Sequence, residues 1–541
     1  MNTSLKIALA QCNLTVGDIQ KNLNIHITAA KKARDELKAD LIVFPELSLT
    51  GYPPEDLLFR QHFIDLINQA LITLKNSVTE IYCLVGHPLK TSDGLFNACS
   101  LIYNGEIIAQ YAKRHLPNYE VFDEYRYFTP GKKPCVVNIK NIPVGIIICE
   151  DLWQMEPIIQ SVEQGAQCII VPNASPFEID KHKRRIRIIK EQTAQTNVPI
   201  LYCNCVGGQD DFVFDGGSMA VDSTGEIRQF AGFFNENILC VDLTVSKNNI
   251  QIAHEPFFIP EEIECIYQAL VTGTRDYIEK NHFPGVIIGV SGGIDSALTL
   301  AVAVDALGAE RVHAVFMPSR FSSQLSMEEA ISIAENLNVS YEMISIEEPF
   351  NSFLNVLKPR LEEQEPGILE QNIQSRCRGV ILMAISNQTK SLVLTTGNRS
   401  ELAVGYATLY GDMAGGFAVL KDISKTMVYH LAHYRNQLNH VIPARTISRE
   451  PTAELCENQK DTDTLPPYNI LDKIIAHYID EELSVEDIIA KGFNRTTVQN
   501  VIRSIQLNEY KRRQYAVGVR IHARAFGKDR RYPITSGYKE T

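Results

Sequence analysis

One stretch constrains this chain more than any other: Gly289-Val290-Ser291-Gly292-Gly293-Ile294-Asp295-Ser296. It follows the apolar, β-branched run Val286, Ile287, Ile288 and opens an apolar, helix-forming segment over 297–307. That order predicts a strand, a tight turn and a helix. Paired glycines let the backbone close around an anion. A helix start adds unpaired N–H groups and the positive end of a dipole. A phosphate is the natural occupant. The turn lacks the Gly-Lys-Ser/Thr ending of the kinase-type phosphate loop, so its chemistry is sought elsewhere.

The chain has 541 residues, which predicts two large domains. Its residues are 45% hydrophobic, enough for real cores, and its net charge of −12 argues against nucleic acid as the main partner. Twelve cysteines are scattered without CxxC pairs, so neither a zinc site nor a disulfide framework is indicated. Cys203 and Cys205 are expected on one face of a strand, as core residues. Met1-Asn2-Thr3-Ser4-Leu5-Lys6 runs directly into a strand, and no apolar run reaches the ~18 residues of a membrane span. A soluble, cytoplasmic protein with reduced thiols is expected, with no membrane partner.

The first half alternates strands, at 6–10, 41–45, 81–86, 98–103, 142–149, 168–172 and 199–204, with helices near 18–38, 56–76, 157–165 and 180–196. Tyr103-Asn104-Gly105-Glu106 is a hairpin turn. Hairpins mixed among helices suggest sheets covered by helices rather than one parallel sheet. Residues 246–261, with Lys247, Asn248, Asn249 and two prolines, read as a linker between domains 1–245 and 262–541. Helix 262–280 then leads into strand 286–290. Strands at 312–317, 341–346 and 391–395 follow, with helices near 326–337 and 368–388. This is βαβ grammar for a doubly wound parallel sheet, whose ligands bind beyond the strand ends at Ser291, Pro318 and Thr396.

Three strand ends in the first half carry chemistry. Phe44-Pro45-Glu46-Leu47-Ser48-Leu49-Thr50-Gly51-Tyr52 ends a buried strand in a carboxylate. Lys113-Arg114-His115-Leu116-Pro117-Asn118-Tyr119 follows the hairpin. Ile148-Cys149-Glu150-Asp151-Leu152-Trp153 places a thiol where a strand meets an acidic turn. Together they resemble the nitrilase and amidase superfamily, which implies an α-β-β-α sandwich for this half. The resemblance casts Glu46 as the base for the thiol, Cys149 as the nucleophile forming a thioester, and Lys113 as the oxyanion partner alongside the backbone N–H after Cys149. Tyr119, Ser175 and Lys181 match glutamine-binding positions in amidases of this branch. Most of the basic run Lys181-His182-Lys183-Arg184-Arg185 is expected to be a solvated helix face.

The glycine turn resembles the SGGxDS signature of the ATP pyrophosphatases, which release pyrophosphate and activate an acid as its adenylate. Asp295 beside phosphates requires a cation between them, and magnesium is expected, with Glu401 in Thr395-Thr396-Gly397-Asn398-Arg399-Ser400-Glu401 as the second carboxylate. Thr396 suits the nucleotide; Lys425 and Thr452 are candidates for its phosphates. Asn372-Ile373-Gln374-Ser375-Arg376, the loop 405–416, the string 450–455 and Asn508-Glu509-Tyr510-Lys511-Arg512-Arg513-Gln514 resemble NAD synthetases.

With the amidase half in front, the chain is similar over nearly its whole length to the glutamine-dependent NAD synthetases. The resemblance implies ATP, deamido-NAD and glutamine as substrates, and Asn372, Arg376, Glu401 and Lys511 as contacts to deamido-NAD. It also implies a sheltered path for ammonia and a homo-oligomer of at least two chains. Three alternatives stay open on sequence alone: an amidotransferase for another carboxylate, a nucleotide sensor with degenerate sites, and an ammonia-only synthetase with a silent amidase half.

Overall fold

A computed structural model describes residues 3–246, 249–360 and 367–540. The chain forms two compact units, Met1–Glu261 and Glu262–Thr541.

The first unit holds two large sheets. In the first, the strands run in the spatial order Asn249–Ile252, Asn237–Ser246, Thr3–Gln11, Leu41–Val43, Tyr82–Thr91, Gly94–Tyr103, Glu106–Ala112. Its centre is parallel and its margins are antiparallel, including the hairpin at Tyr103–Glu106. The second sheet runs Ile227–Phe230, Met219–Val221, Ile200–Asn204, Cys168–Asn173, Ile142–Ile146, Val136–Ile139, again with a parallel centre.

Side-chain alternation along a strand sorts residues between two layers. In Thr3–Gln11, Leu5, Ile7 and Leu9 join Val144, Ile146, Ile170 and Leu201 in the core between the sheets. Ala8 and Ala10 face the other way, toward Leu23 and Ala30 of helix Ile19–Asp35 and Ile64, Ile67 and Leu71 of helix Gln61–Ser77. Helix Met155–Glu163 packs on strand Ile142–Ile146 and on helix Lys181–Thr196. Each buried leucine or isoleucine contributes about 1.5–3 kcal/mol, so these layers dominate the stability of the unit. The architecture is a nitrilase-like α-β-β-α sandwich.

Three expectations change here. The strand expected over 142–149 ends at Ile146, and Cys149 begins a one-turn 3₁₀ helix, Cys149–Trp153. Cys203 and Cys205 do not share a face: the strand stops at Asn204, so Cys203 joins the core between the sheets and Cys205 the core under the helices. The linker expected over 246–261 contains an edge strand, since Asn249–Ile252 pairs with Leu243–Ser246; Lys247 and Asn248 lie outside the described residues.

The second unit is built on five parallel strands in the order Ser340–Met343, Val312–Phe316, Val286–Gly289, Leu392–Thr395, Phe417–Ala418. Helix Ile294–Leu307 packs between helices Glu262–Lys280 and Lys425–Leu438, while helix Ile368–Thr389 covers strands Val286–Gly289 and Leu392–Thr395. Strand order reverses direction at Val286–Gly289, so the glycine turn sits at the topological switch point, where open α/β sheets form ligand crevices. A further helical core, with Leu471, Ile474, Val498, Ile502 and Ile505, packs on Leu402 and Val404.

Candidate active sites

In the first unit, three buried strand ends meet. Glu46 Oε1 accepts a hydrogen bond from Lys113 Nζ at 2.7 Å, and Glu46 Oε2 accepts one from the Ala174 backbone N–H at 3.0 Å. The same N–H faces the Cys149 thiol, so the Glu46 carboxylate and this thiol flank one donor. Gly86 permits this approach, because a Cβ there would lie 2.5 Å from Pro45 O and from Leu47 N. Cys149 has φ +43°, a left-handed conformation unusual for a residue with a side chain. Strained backbone of this kind persists where surrounding contacts over-determine it.

Sequence reasoning missed a second carboxylate. Glu124 Oε1 accepts from Lys113 Nζ at 2.8 Å and from Tyr52 Oη at 2.9 Å. Asn97 Nδ2 donates to Glu46 Oε1 at 2.7 Å and reaches Glu124 Oε2 at 3.4 Å. Glu124 sits in an irregular segment without periodicity, so no pattern marked it. Two carboxylates thus share one buried ammonium. Burial and the like charge of Glu46 push Glu124 up to about 7, against the opposing pull of Lys113. Burial alone would lower the Lys113 pKa, but Glu124 and then Glu46 outweigh it and hold the ammonium charged well above the ordinary range. Burial, and then the charge of Glu46, push the Cys149 pKa upward, so this side chain rests as a thiol.

Around this centre, Tyr119 Oη donates to Glu150 Oε2 at 2.9 Å, and Ser175 Oγ accepts from Arg185 Nε at 3.2 Å. The Lys181 ammonium lies 5.6 Å from the Phe122 ring centroid. The basic run is not a solvated face. Lys181, His182 and Arg185 are buried, and Arg185 places one Nη 2.8 Å from each Asp215 carboxylate oxygen. Its second Nη donates to the carbonyls of Ser175 and Pro176, so the guanidinium pins the turn after strand Cys168–Asn173.

In the second unit, a cavity of about 290 Å³ opens at the strand ends, lined by the whole turn Gly289–Ser296 together with Thr396, Glu401, Lys425 and Thr452. Met317 rather than Pro318 stands on its wall. Gly292 has φ +79°, and a Cβ there would lie 2.2 Å from Ser326 O, so only glycine fits. Ser296 Oγ donates to Gly293 O at 3.0 Å and accepts from Ser291 N at 3.2 Å, which shapes the turn from within.

Asp295 and Glu401 converge on Lys425. The ammonium contacts Asp295 Oδ2 directly and lies 3.5 Å from Glu401 Oε1. Burial, then the charges of Asp295 and Asp461, raise Glu401 to about 8, with Lys425 opposing. Asn372, Arg376 and Lys511 are bonded to the loop 405–409, whose Tyr406 and Ala407 line the cavity. Asn372 Oδ1 accepts from Thr408 Oγ1 at 2.8 Å, Arg376 Nε donates to Leu409 O at 3.2 Å, and Lys511 Nζ donates to Gly405 O at 2.7 Å and Ala407 O at 2.8 Å. None of the three is among the residues lining the cavity. Arg378 and Arg449, which sequence reasoning did not select, do line it. No trio of His, Cys, Asp or Glu side chains gathers as a metal site among the described residues. The carboxylate pair nonetheless offers all-oxygen donors at one point, which fits a hard divalent cation that completes its shell with phosphate oxygens.

Family models agree with this division: the carbon-nitrogen hydrolase model matches residues 6–248 and the NAD synthase model residues 266–515. The fold and its two sites thus define a two-domain ligase, an amide-hydrolysing unit joined to an NAD-synthesising one. Among relatives, a glutamine-dependent NAD(+) synthetase of Xanthomonas campestris pv. campestris is 47% identical over 99% of this chain and 98% of its own length. One of Thermotoga maritima is 44% identical, with 99% of each chain covered. The solved structure of the Acinetobacter baumannii glutamine-dependent NAD+ synthetase, in complex with ADP, matches with TM-score 0.81 at 43% identity, covering 99% of this chain and 100% of that one. The chain belongs to the glutamine-dependent NAD(+) synthetase family.

Proposed function

We propose that the first unit hydrolyses glutamine through Cys149, Glu46 and Lys113. Glu46 takes the thiol proton as Sγ attacks the side-chain amide carbon, and Lys113 steadies the tetrahedral oxyanion. Glu46 returns that proton to the leaving nitrogen as the C–N bond breaks, so ammonia leaves and a thioester remains. Water, deprotonated by Glu46, then cleaves the thioester to glutamate, and the proton returns to Cys149 Sγ. Tyr119, Ser175 and Lys181 hold the glutamine. The observation that carries this reading is the shared Ala174 N–H, which puts the Glu46 carboxylate beside the Cys149 thiol.

In the second unit, the turn Gly289–Ser296, Thr396, Lys425 and Thr452 bind ATP, while Asn372, Arg376, Glu401 and Lys511 face deamido-NAD. The pyridine carboxylate attacks the α-phosphorus and expels pyrophosphate. Ammonia then attacks the acyl carbon and expels AMP, giving NAD. Asp295 and Glu401 would hold magnesium, which when bound supplies positive charge between these carboxylates and the phosphate oxygens. Exposed Val356 on helix Glu347–Leu357, and Ile368 and Val380 on helix Ile368–Thr389, both in the second unit, support an oligomer of at least two chains. Free cysteines throughout the chain support a cytoplasmic location.

Cys149→Ala tests the division of labour. Glutamine-dependent NAD synthesis should vanish while ammonia-dependent synthesis persists. Equal loss with both nitrogen donors, in folded protein, would overturn the assignment.

A further inference from the structure

Asp151 lies two residues after Cys149, in the 3₁₀ turn that the nucleophile begins, and its carboxylate is fully buried. Its two oxygens offer about four acceptor positions, and four donors take them. Oδ2 accepts from Tyr111 Oη at 2.7 Å and from the Ile148 backbone N–H at 3.1 Å. Oδ1 accepts from the Arg114 N–H at 3.1 Å and the His115 N–H at 2.8 Å. Tyr111, Arg114 and His115 bracket Lys113; Ile148 precedes Cys149. One carboxylate therefore bonds to the chain on both sides of the lysine and to the residue before the nucleophile.

The lysine strand ends at Ala112 and the cysteine strand at Ile146. Backbone bonds tie each turn to its own neighbours, Lys113 N–H to Asn97 O at 2.8 Å and Ile147 N–H to Ile170 O at 3.2 Å. The Asp151 side chain ties the two turns to each other. An oxyanion partner works only if it stands at hydrogen-bond distance from where the oxygen will be, and misplacement by an ångström costs on the order of a hundredfold in rate. Resting on the reading of Cys149 as nucleophile and Lys113 as oxyanion partner, we propose that Asp151 is the positioning residue that sets the distance between them. It touches neither substrate nor reacting atoms and acts through the two turns it joins.

Asparagine at this position keeps the shape but offers one acceptor oxygen. Its NH₂ group would face N–H donors on one side, so one turn loses its tie. Asp151→Asn should lower the glutaminase kcat about a hundredfold, with the glutamine KM within about twofold of wild type. Tyr111→Phe, which removes one tie of four, should lower kcat less, again at constant KM. A double-mutant cycle separates positioning from simple loss of structure: in a Lys113→Ala background, Asp151→Asn should cost little more, because the group it positions is gone.

Normal kcat in folded Asp151→Asn, or losses that multiply with those of Lys113→Ala, would overturn the proposal. If Asp151→Asn does not fold, Tyr111→Phe decides: reduced kcat at constant KM supports the coupling, and unchanged kcat refutes it. Glutaminase activity surviving in Cys149→Ala would instead refute the nucleophile assignment, so the two failures are distinguishable.

Discussion

Asn398 Nδ2 donates to Asp295 Oδ1 at 2.9 Å, although the two residues stand on different strand ends of the parallel sheet. The other half of the same amide caps the helix that carries Glu401: Asn398 Oδ1 accepts from the Glu401 N–H at 3.0 Å. Asn398 thus bonds one of the two carboxylates proposed to hold the cation and caps the helix that carries the other, whose Oε2 accepts from the Asn398 backbone N–H at 3.3 Å.

Asn398→Ala should weaken the response to magnesium more than it weakens the fold. Loss of an N-cap costs about 0.5–2 kcal/mol, while loss of a group that orients metal ligands costs on the order of tenfold or more in metal affinity. Pyrophosphate release measured against magnesium concentration should show half-saturation shifted upward, in a protein whose melting temperature falls by only a few degrees. An unchanged magnesium curve would separate Asn398 from the cation.

Glu124 makes the stability of the first unit depend on pH. Its pKa rises from 4.5 in the unfolded chain to about 7 when folded. The folded state therefore binds the proton more tightly. The stabilisation from this group is complete below pH 4.5 and is lost as pH rises through 7. Glu124→Gln removes the titration, so the difference in melting temperature between variant and wild type should change between pH 4.5 and pH 8 in the variant's favour. A difference that stays constant across that window would show that Glu124 does not hold a proton there.

The main elements were legible because their periods were clean. Helix 262–280 coincides with the observed Glu262–Lys280, and the glycine turn sits at the strand end where its neighbours placed it. Glu46, Lys113 and Cys149 also stand together, each announced by an apolar strand ending in a functional group. What escaped was whatever long-range contacts decide. Glu124 lies in a segment with no period, and Asn398 looks like an ordinary helix cap. Arg185 looked solvated because a run of five basic residues gives no sign of Asp215 thirty residues on. Cys205 switched layers because the strand stops one residue before it.

The Arg185–Asp215 pair should be structural as well as local to the proposed glutamine site. Both side chains are almost fully buried. Removing one partner leaves a buried charge unpaired, which costs about 3–5 kcal/mol, whereas replacing both with apolar groups costs far less. Arg185→Met should destabilise the first unit strongly in urea denaturation, and Asp215→Leu in the same chain should restore much of the loss. If the double variant is no more stable than the single, the pair is not behaving as a buried ion pair.

Lys425 should compete with the cation for Asp295 and Glu401. Its ammonium pairs with Asp295 and lies 3.5 Å from Glu401. Burial alone would lower its pKa, but Asp295 and then Glu401 outweigh that and keep it charged. A divalent ion arriving alone meets a site with a positive charge in it. An arriving triphosphate gives the ammonium another partner and frees the carboxylates, so cation and ATP should bind together rather than in sequence. At about 4 Å, one unit charge is worth on the order of 1–4 kcal/mol between bulk-water and surface-like dielectrics, enough to change affinity about tenfold or more. Lys425→Met should therefore bind Mn²⁺ more tightly than wild type in the absence of nucleotide, read by electron paramagnetic resonance of the free ion. The same variant should release pyrophosphate poorly, because a phosphate contact is gone. If Mn²⁺ affinity without ATP is the same in both proteins, Lys425 does not occupy the cation's place and its role is confined to the phosphates.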